Sequence, residues 1–137
     1  MGRILAIDYG QKRVGLAVTD PLKIIANSLD TVPAHEVLAY VVNYVAREDV
    51  EKIVVGLPKQ MNGTDSQSMQ YIEPFVKKLK AALPTIELIY VDERFTSVLA
   101  HQTMLDGGLK KKDRQNKGLV DRISATIILQ TYLESIR

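Results

Sequence analysis

The sequence contains no cysteine and no apolar run long enough to cross a membrane. Without cysteine the chain can form neither a disulfide nor a thiolate zinc site, which is typical of a cytoplasmic protein. The apolar segment after Arg3 is interrupted at Asp8, so the first residues also lack the hydrophobic core of a secretory signal. We therefore expect a cytoplasmic protein that does not associate with a membrane.

Internal repeats, low-complexity segments and interdomain linkers are absent as well. The chain has 137 residues, which are enough to bury a core but too few for two ordinary domains. Hydrophobic residues make up 46% of the chain and charged residues 25%, a composition typical of a globular protein. We expect residues 1–137 to form a single domain.

An excess of one charge sign is nearly absent, because the formal net charge is only +2. Basic residues are nevertheless concentrated between Gly107 and Arg122, where six basic minus two acidic residues give a local charge of +4. Within this basic loop the candidate nucleic-acid contacts are Lys110, Lys111, Lys112, Arg114 and Lys117. Such a loop is a candidate contact for phosphate groups, although by itself the pattern is more often a set of lysines that keep a mobile loop soluble.

The apolar pattern predicts alternating strands and helices, which is typical of an α/β protein. Three short strands joined by tight turns form an antiparallel meander, and two later buried strands should lie parallel to the first because helices connect them. Pro74 lies inside the second helix and is expected to kink or split it. The strands are predicted at residues 4–7, 14–18, 24–29, 52–56 and 87–91. The helices are predicted at residues 34–48, from the 57–65 loop to residue 83, at 97–106 and at 119–136.

Three acidic residues stand at the ends of these core elements: Asp8 after the first strand, Glu93 after the last strand and Asp121 in the first turn of the final helix. Each has an ordinary explanation, since Asp8 is also compatible with a turn, Asp121 complements a helix dipole, and Asp92 with Arg94 is compatible with a surface ion pair. Carboxylates that converge from separate elements form an all-oxygen site for Mg²⁺ or Mn²⁺. Two such ions can align an attacking water with the leaving oxygen of a phosphodiester.

Four segments resemble the motif blocks of the YqgF family, small RNase H-like proteins described as Holliday junction resolvases and as nucleases that mature precursor 16S ribosomal RNA. Their order and their spread over nearly the whole chain are more specific than any one of them. The segments are IDYGQKRVGLAVTD at 7–20, VVGLPKQMNGT at 54–64, VDERFTS at 91–97 and KGLVDRISATIIL at 117–129.

The resemblance implies an RNase H-like fold, a five-stranded mixed sheet with helices on both faces. It also implies that the catalytic and metal-binding residues are Asp8, Glu93 and Asp121, and the family's D-E-R block favours Glu93 over Asp92. Outside these acids, the blocks suggest that Arg13, Arg94 and Lys117 contact phosphate, since arginine offers a forked pair of donors. His35 and His101 are expected to be solvent-facing helix residues without a role.

The leading hypothesis is a nuclease that uses Mg²⁺ or Mn²⁺ and a water nucleophile on structured nucleic acid. Its most specific form is 5′-end processing of precursor 16S rRNA, with resolution of branched DNA as the alternative, by a monomer or weak homodimer. A second class is nucleotide binding, because Asp8, Gly10 and Gly15 resemble the first phosphate loop of actin-like and sugar-kinase proteins; those proteins need two such domains. A third class is a non-catalytic nucleic-acid-binding module.

Overall fold

Five apolar segments pair into one mixed sheet in the computed structural model, which describes residues 2–57, 69–92 and 117–136. The strands are β1 (Arg3–Tyr9), β2 (Arg13–Thr19), β3 (Ala26–Pro33), β4 (Val50–Leu57) and β5 (Glu87–Asp92). A 3₁₀ turn (Ala34–Glu36) leads into α1 (Val37–Arg47), and the further helices are α2 (Met69–Ala82) and α3 (Lys117–Ser135). The predicted helix at 97–106 lies outside the described residues.

The strand order is β3-β2-β1-β4-β5. β1 pairs antiparallel with β2, which pairs antiparallel with β3, while β1 and β4 and then β4 and β5 pair parallel. The predicted meander and the two parallel strands are therefore confirmed. No helix in the described part of the chain is both long and apolar enough to span a membrane.

Side chains that alternate along β1 enter two separate cores. Leu5 and Ile7 pack in a layer with α1 and α2, whereas Ile4 and Ala6 pack in a layer with α3. The residues from Ile4 to Ile7 are at most 1% exposed, so β1 is buried on both faces as its continuous apolar run predicts. Helices thus cover both faces of the sheet, as expected.

Thr19 at the end of β2 is a fully buried polar side chain. The backbone N–H of Ile4 donates a hydrogen bond to Thr19 Oγ1 (2.9 Å), and the guanidinium of Arg3 donates to the Thr19 carbonyl (2.9 Å). The hydroxyl thus accepts a hydrogen bond from the buried main-chain N–H of Ile4. Ile4 lies one residue before Leu5, where the pairing of β1 with β2 begins.

The third strand begins later than predicted, at Ala26 instead of Ile24. The Asp20 carboxylate accepts hydrogen bonds from the amides of Leu22 (3.2 Å), Ile24 (2.8 Å) and Ile25 (2.8 Å). The amide of Ile25, together with the others, lowers the pKa of Asp20 from its usual value. These amides are held in the loop and are not available to a strand ladder, so the apolar Ile24 and Ile25 remain exposed.

Pro74 does not split α2, which continues from Met69 to Ala82. Proline removes one backbone hydrogen bond, but the apolar face of α2 is buried along its length against the sheet and α1, and this packing holds the helix together. Its buried side chains are Met69, Ile72, Phe75, Val76 and Leu79.

The last helix lies where the sequence predicts it but begins two residues earlier, at Lys117, so Asp121 is its fifth residue and does not lie in the predicted first turn. Ala125, Ile128, Leu129, Tyr132 and Leu133 are buried against the sheet, whereas Ile123 and Thr131 are only partly buried.

Removing the Thr19 hydroxyl without changing side-chain volume should destabilise the protein. In Thr19→Val the Ile4 N–H remains buried without its partner, and we expect a loss of about 1–3 kcal/mol in the free energy of unfolding. Thr131→Val is the matched control, because the Thr131 hydroxyl donates to the Ile127 carbonyl (2.8 Å) inside a helix and its loss leaves no orphaned donor. Urea denaturation of both variants measures the difference, and equal stability of the two would contradict the role assigned to Thr19.

Candidate active site at the carboxyl edge of the parallel strands

The carboxyl ends of β1, β4 and β5 meet at one edge of the sheet because these strands are parallel. Asp8 is the penultimate residue of β1, is half-buried and pairs with Gly15 of β2. It therefore lies within the strand and not in the following turn. Gly10 forms that turn, and a Cβ at Gly10 would collide with the carbonyl oxygen of Arg13.

Asp8 lies on the α3 face of the sheet, two residues after Ala6 in the alternation of β1. Its neighbours on that face are glycines. Gly15 lies opposite it on β2, and the parallel register that pairs Ile7 with Val55 puts Gly56 of β4 beside it. Neither neighbouring strand therefore has a side chain directly beside this carboxylate in the paired register, and glycine inside a strand often marks the close approach of a ligand.

The direction of α3 follows from contacts of its second half. Lys52, near the start of β4, donates a hydrogen bond from Nζ to the Tyr132 hydroxyl (3.3 Å), and this bond raises the pKa of Lys52. Leu133 and Glu134 share a small cavity with Ile24 and Ile25, next to the start of β3. The second half of α3 therefore lies at the amino edge of the parallel strands.

The first turn of α3 consequently points toward the opposite, carboxyl edge. Position 121 precedes Tyr132 by three turns, or about 16 Å along a helix. The distance from Lys52 to the carboxyl end of β4 at Leu57 is similar, about 16 Å for five residues of strand. The backbone of α3 thus brings position 121 to the edge that holds Asp8.

The alternation in β5 fixes the face of Asp92, one of the two rival acids of the D-E-R block. Ile89 and Val91 pack in the α3 layer, so Asp92 lies on the opposite face from Asp8, and it is exposed. Asp92 is therefore poorly placed to share a ligand with Asp8. Glu93, the predicted partner, lies outside the described residues.

Arg13 shares both the edge and the face of Asp8. It is the first residue of β2 and directly precedes Val14, which pairs with Tyr9. Val14 and Leu16 pack in the α1–α2 layer, so strand alternation places Arg13 on the other face of the sheet. The half-buried Arg13 therefore lies diagonally across from Asp8 on the α3 face.

Other predicted contacts are only partly located. Lys117 and Asp121 belong to the backbone of α3, and their side chains are outside what the structure describes. The following predicted site residues lie outside the described residues altogether: Glu93, Arg94, Lys110, Lys111, Lys112 and Arg114. Within residues 2–57, 69–92 and 117–136 no three acidic or histidine side chains gather as metal ligands. The acidic triad thus stays a prediction.

A groove on the other face of the same edge was not predicted from the sequence. Tyr9 follows Asp8 and projects to the α1–α2 side, where its ring stacks on Phe75 with a centroid distance of 4.6 Å. His35, which was expected to face solvent and is exposed, lines this groove too. The sequence does contain one signal for this groove. Tyr9 is an aromatic residue at the last position of a buried strand, and strand alternation places it on the opposite face from Asp8.

The known proteins that are similar to this chain in sequence have consistent descriptions. A family model described as "RuvX: Holliday junction resolvase" matches residues 2–135. The Bacteroides thetaiotaomicron protein named "Putative pre-16S rRNA nuclease" is 66% identical over 137 residues, which is 100% of this chain and 99% of the relative. The Parabacteroides distasonis protein of the same name is 62% identical over 135 residues, covering 98% of this chain and 96% of the relative.

Among solved structures, Thermus thermophilus RuvC in complex with a Holliday junction substrate superposes with a TM-score of 0.60. The two chains are 17% identical, and the match covers 98% of this chain and 96% of that one, so the similarity concerns the fold and confirms its RNase H-like architecture. Because the family model covers almost all residues and full-length relatives exceed 60% identity, this chain belongs to the RuvX (YqgF) Holliday junction resolvase family.

Proposed function

We propose that this protein is a metal-dependent nuclease that hydrolyses phosphodiester bonds in structured nucleic acid, and that its substrate is the 5′ end of precursor 16S rRNA. The observation that carries the proposal is the position of Asp8, a carboxylate at the carboxyl edge with glycines on both neighbouring strands. Family membership and the names of the full-length relatives support the reaction and the RNA.

The space beside Asp8 suits a ligand that brings its own positive charge. A carboxylate attracts a cation more strongly where its surroundings are partly removed from water, because the local dielectric constant is lower there. The flanking Gly15 and Gly56 have no side chains, so neither fills the space beside Asp8. Arg13, on the same face, is positioned to hold a phosphate group in a forked hydrogen bond while the ester bond next to it is broken.

The proposed donor set is made of oxygen atoms, from Asp8, Glu93 and Asp121, which suits Mg²⁺ or Mn²⁺. When bound, two such ions would supply an activated water and stabilise charge on the phosphodiester. Asp8 would contribute from a rigid central strand and Asp121 from the fifth position of a helix packed on that strand, so the two backbones are held in one frame.

The remaining predicted residues would act on the nucleic acid outside the reacting bond. Arg94, Lys117 and the basic loop (Lys110, Lys111, Lys112, Arg114) would contact phosphates and set the position of the strand without reading its sequence. A precursor ribosomal RNA as substrate would place the protein in the cytoplasm. We propose further that residues 1–137 act as a single domain, as a monomer or weak homodimer.

Resolution of Holliday junctions is the second candidate function. The description of the family and the fold shared with Thermus thermophilus RuvC favour it. Both functions use the same hydrolysis, and they differ in whether the strand is RNA or branched DNA.

Cleavage assays distinguish these functions. With Mg²⁺ or Mn²⁺ we expect cleavage of a precursor 16S rRNA 5′ segment in preference to a four-way DNA junction. Asp8→Asn should slow cleavage by at least about 100-fold, since ion-dependent charge stabilisation is worth several kcal/mol. Asp92→Asn, at the same edge but on the opposite face, is the control that should retain activity. Cleavage of the junction alone would establish the second candidate, and cleavage of neither would indicate a non-catalytic binding module.

Metal binding can be measured without activity. Saturating Mn²⁺ should raise the melting temperature of the wild-type protein by mass action on the folded state. Asp8→Asn should lose most of this increase, whereas Asp92→Asn should keep it. Equal increases for all three proteins would contradict a metal site at Asp8.

The basic loop should dominate the salt dependence of binding. Neutralising Lys110, Lys111 and Lys112 to glutamine should weaken binding to all sequences alike and flatten the slope of log affinity against log salt by about two to three units for a duplex ligand. Lys77→Gln combined with Lys80→Gln, on the exposed side of α2, is the control. An unchanged slope in the loop variant would assign these lysines to solubility.

A further inference from the structure

A groove opens at the carboxyl edge of β1 on the face opposite Asp8. We call it the aromatic groove and define it by Tyr9, Gln11, His35, Tyr71, Phe75 and Lys78. Its volume is about 490 Å³, within the range of roughly 300–1,000 Å³ that is usual for ligand sites. Its position at this edge and its side chains, taken together, identify a class of ligand.

The floor of the groove is a rigid aromatic pair. Tyr9 and Phe75 stack with a centroid distance of 4.6 Å and an interplanar angle of 26°. Phe75 is buried in the α1–α2 core, which fixes the pair in place. One helical turn before Phe75, the ring of Tyr71 remains 41% exposed. An exposed tyrosine beside a fixed aromatic pair provides a surface on which a flat, apolar-faced ligand can stack.

The polar groups of the groove favour an anion. Lys78 lies one turn after Phe75 on α2, and Tyr71, Pro74, Phe75 and Lys78 together follow the spacing of one helix face. Among the residues that the structure describes, no carboxylate lines the groove and none forms an ion pair with Lys78. His35 and Gln11 add hydrogen-bonding groups at the rim. A ligand with a flat ring and a phosphate satisfies both halves of this surface.

The groove and the proposed cleavage site lie at the same edge of the sheet, on opposite faces. Tyr9 directly follows Asp8, and alternation of β1 sends the two side chains to opposite faces of the sheet at the same edge. A nucleic-acid strand with a phosphate at Asp8 has only to pass over this edge for a neighbouring nucleotide to reach the groove.

Only an unpaired nucleotide can use these side chains. Bases inside a duplex are stacked on one another and hide their faces, whereas unpaired bases stack on aromatic side chains almost regardless of sequence. We propose that the aromatic groove binds an unpaired nucleotide next to the phosphodiester that is cleaved, so that the substrate carries a single-stranded segment there. This inference rests on the proposed nuclease function and names the substrate class for it.

The groove proposal can be tested by measuring how variants of its exposed residues bind RNA. The probe is a fluorescently labelled single-stranded RNA of about ten nucleotides in EDTA, compared with a blunt RNA duplex of the same sequence. Tyr71→Ala should weaken single-strand binding roughly 5- to 100-fold, the range that base–aromatic stacking gives on alanine substitution, and should leave duplex binding unchanged. Tyr90→Ala is the matched control, because Tyr90 is 40% exposed and does not line the groove.

A second pair of variants tests the phosphate contact. Lys78→Gln should weaken single-strand binding more than Lys80→Gln, which removes the same charge from an exposed position of α2 outside the groove. Photo-crosslinking of the same RNA with 5-iodouracil in place of uracil should attach the base to Tyr9 or Tyr71. Crosslinks confined to other residues would overturn the proposal.

The outcome of these binding experiments can be distinguished from the outcome of the cleavage assays. If the protein cleaves its substrate but Tyr71→Ala binds single strands like Tyr90→Ala, the groove proposal is wrong and the nuclease function stands. If no substrate is cleaved but only Tyr71→Ala loses single-strand binding, the groove binds unpaired nucleotides in a protein that is not a nuclease. Equal weakening of single-strand and duplex binding by Tyr71→Ala would also overturn the proposal, because stacking requires an accessible base.

Discussion

Burial of β1 on both faces is the constraint on which the rest of the structure depends. Its residues from Ile4 to Ile7 are the centre of the sheet, hydrogen-bonded to β2 on one side and β4 on the other, and their side chains feed two different cores. A strand held in this way has no freedom to slip, since a shift of one residue would exchange the two sets of side chains between the layers. The end of β1 is accordingly the best-fixed position at the carboxyl edge.

This constraint explains why two adjacent residues can have different chemistry. Asp8 and Tyr9 leave the same strand end toward opposite faces, one into a space bordered by glycines and the other onto Phe75. The α3 face then presents a carboxylate with Arg13 nearby, and the α1–α2 face presents rings with Lys78 at the margin. The edge of the sheet separates a surface suited to phosphate chemistry from one suited to bases.

Most of the fold could be predicted from the sequence because its elements are specified by local apolar patterns that tertiary packing reinforces. The start of β3 could not, because a side chain decides it: Asp20 holds the amides of Ile24 and Ile25 in the loop, against the strong strand preference of both isoleucines. The split considered at Pro74 does not occur, since burial of a whole helix face outweighs one missing hydrogen bond. At the site, the position of Asp8 followed from the end of an apolar run, but the aromatic groove depends on elements far apart in sequence. Tyr9 and Phe75 meet only after α2 has packed on the sheet, and no spacing in the chain records that contact.

The packing of α3 has a consequence for how the active edge is assembled. This helix alone, among the described elements, packs against Ile4, Ala6, Ala17 and Val54 on its face of the sheet, and it also carries position 121. The apolar contacts that dock the helix therefore also fix where position 121 lies relative to β1. Among the described residues, none of those that line the aromatic groove on the α1–α2 face belongs to α3. Loss of α3 from the sheet would consequently uncover the apolar residues of one face and displace position 121, while the residues of the groove on the other face keep their contacts with one another.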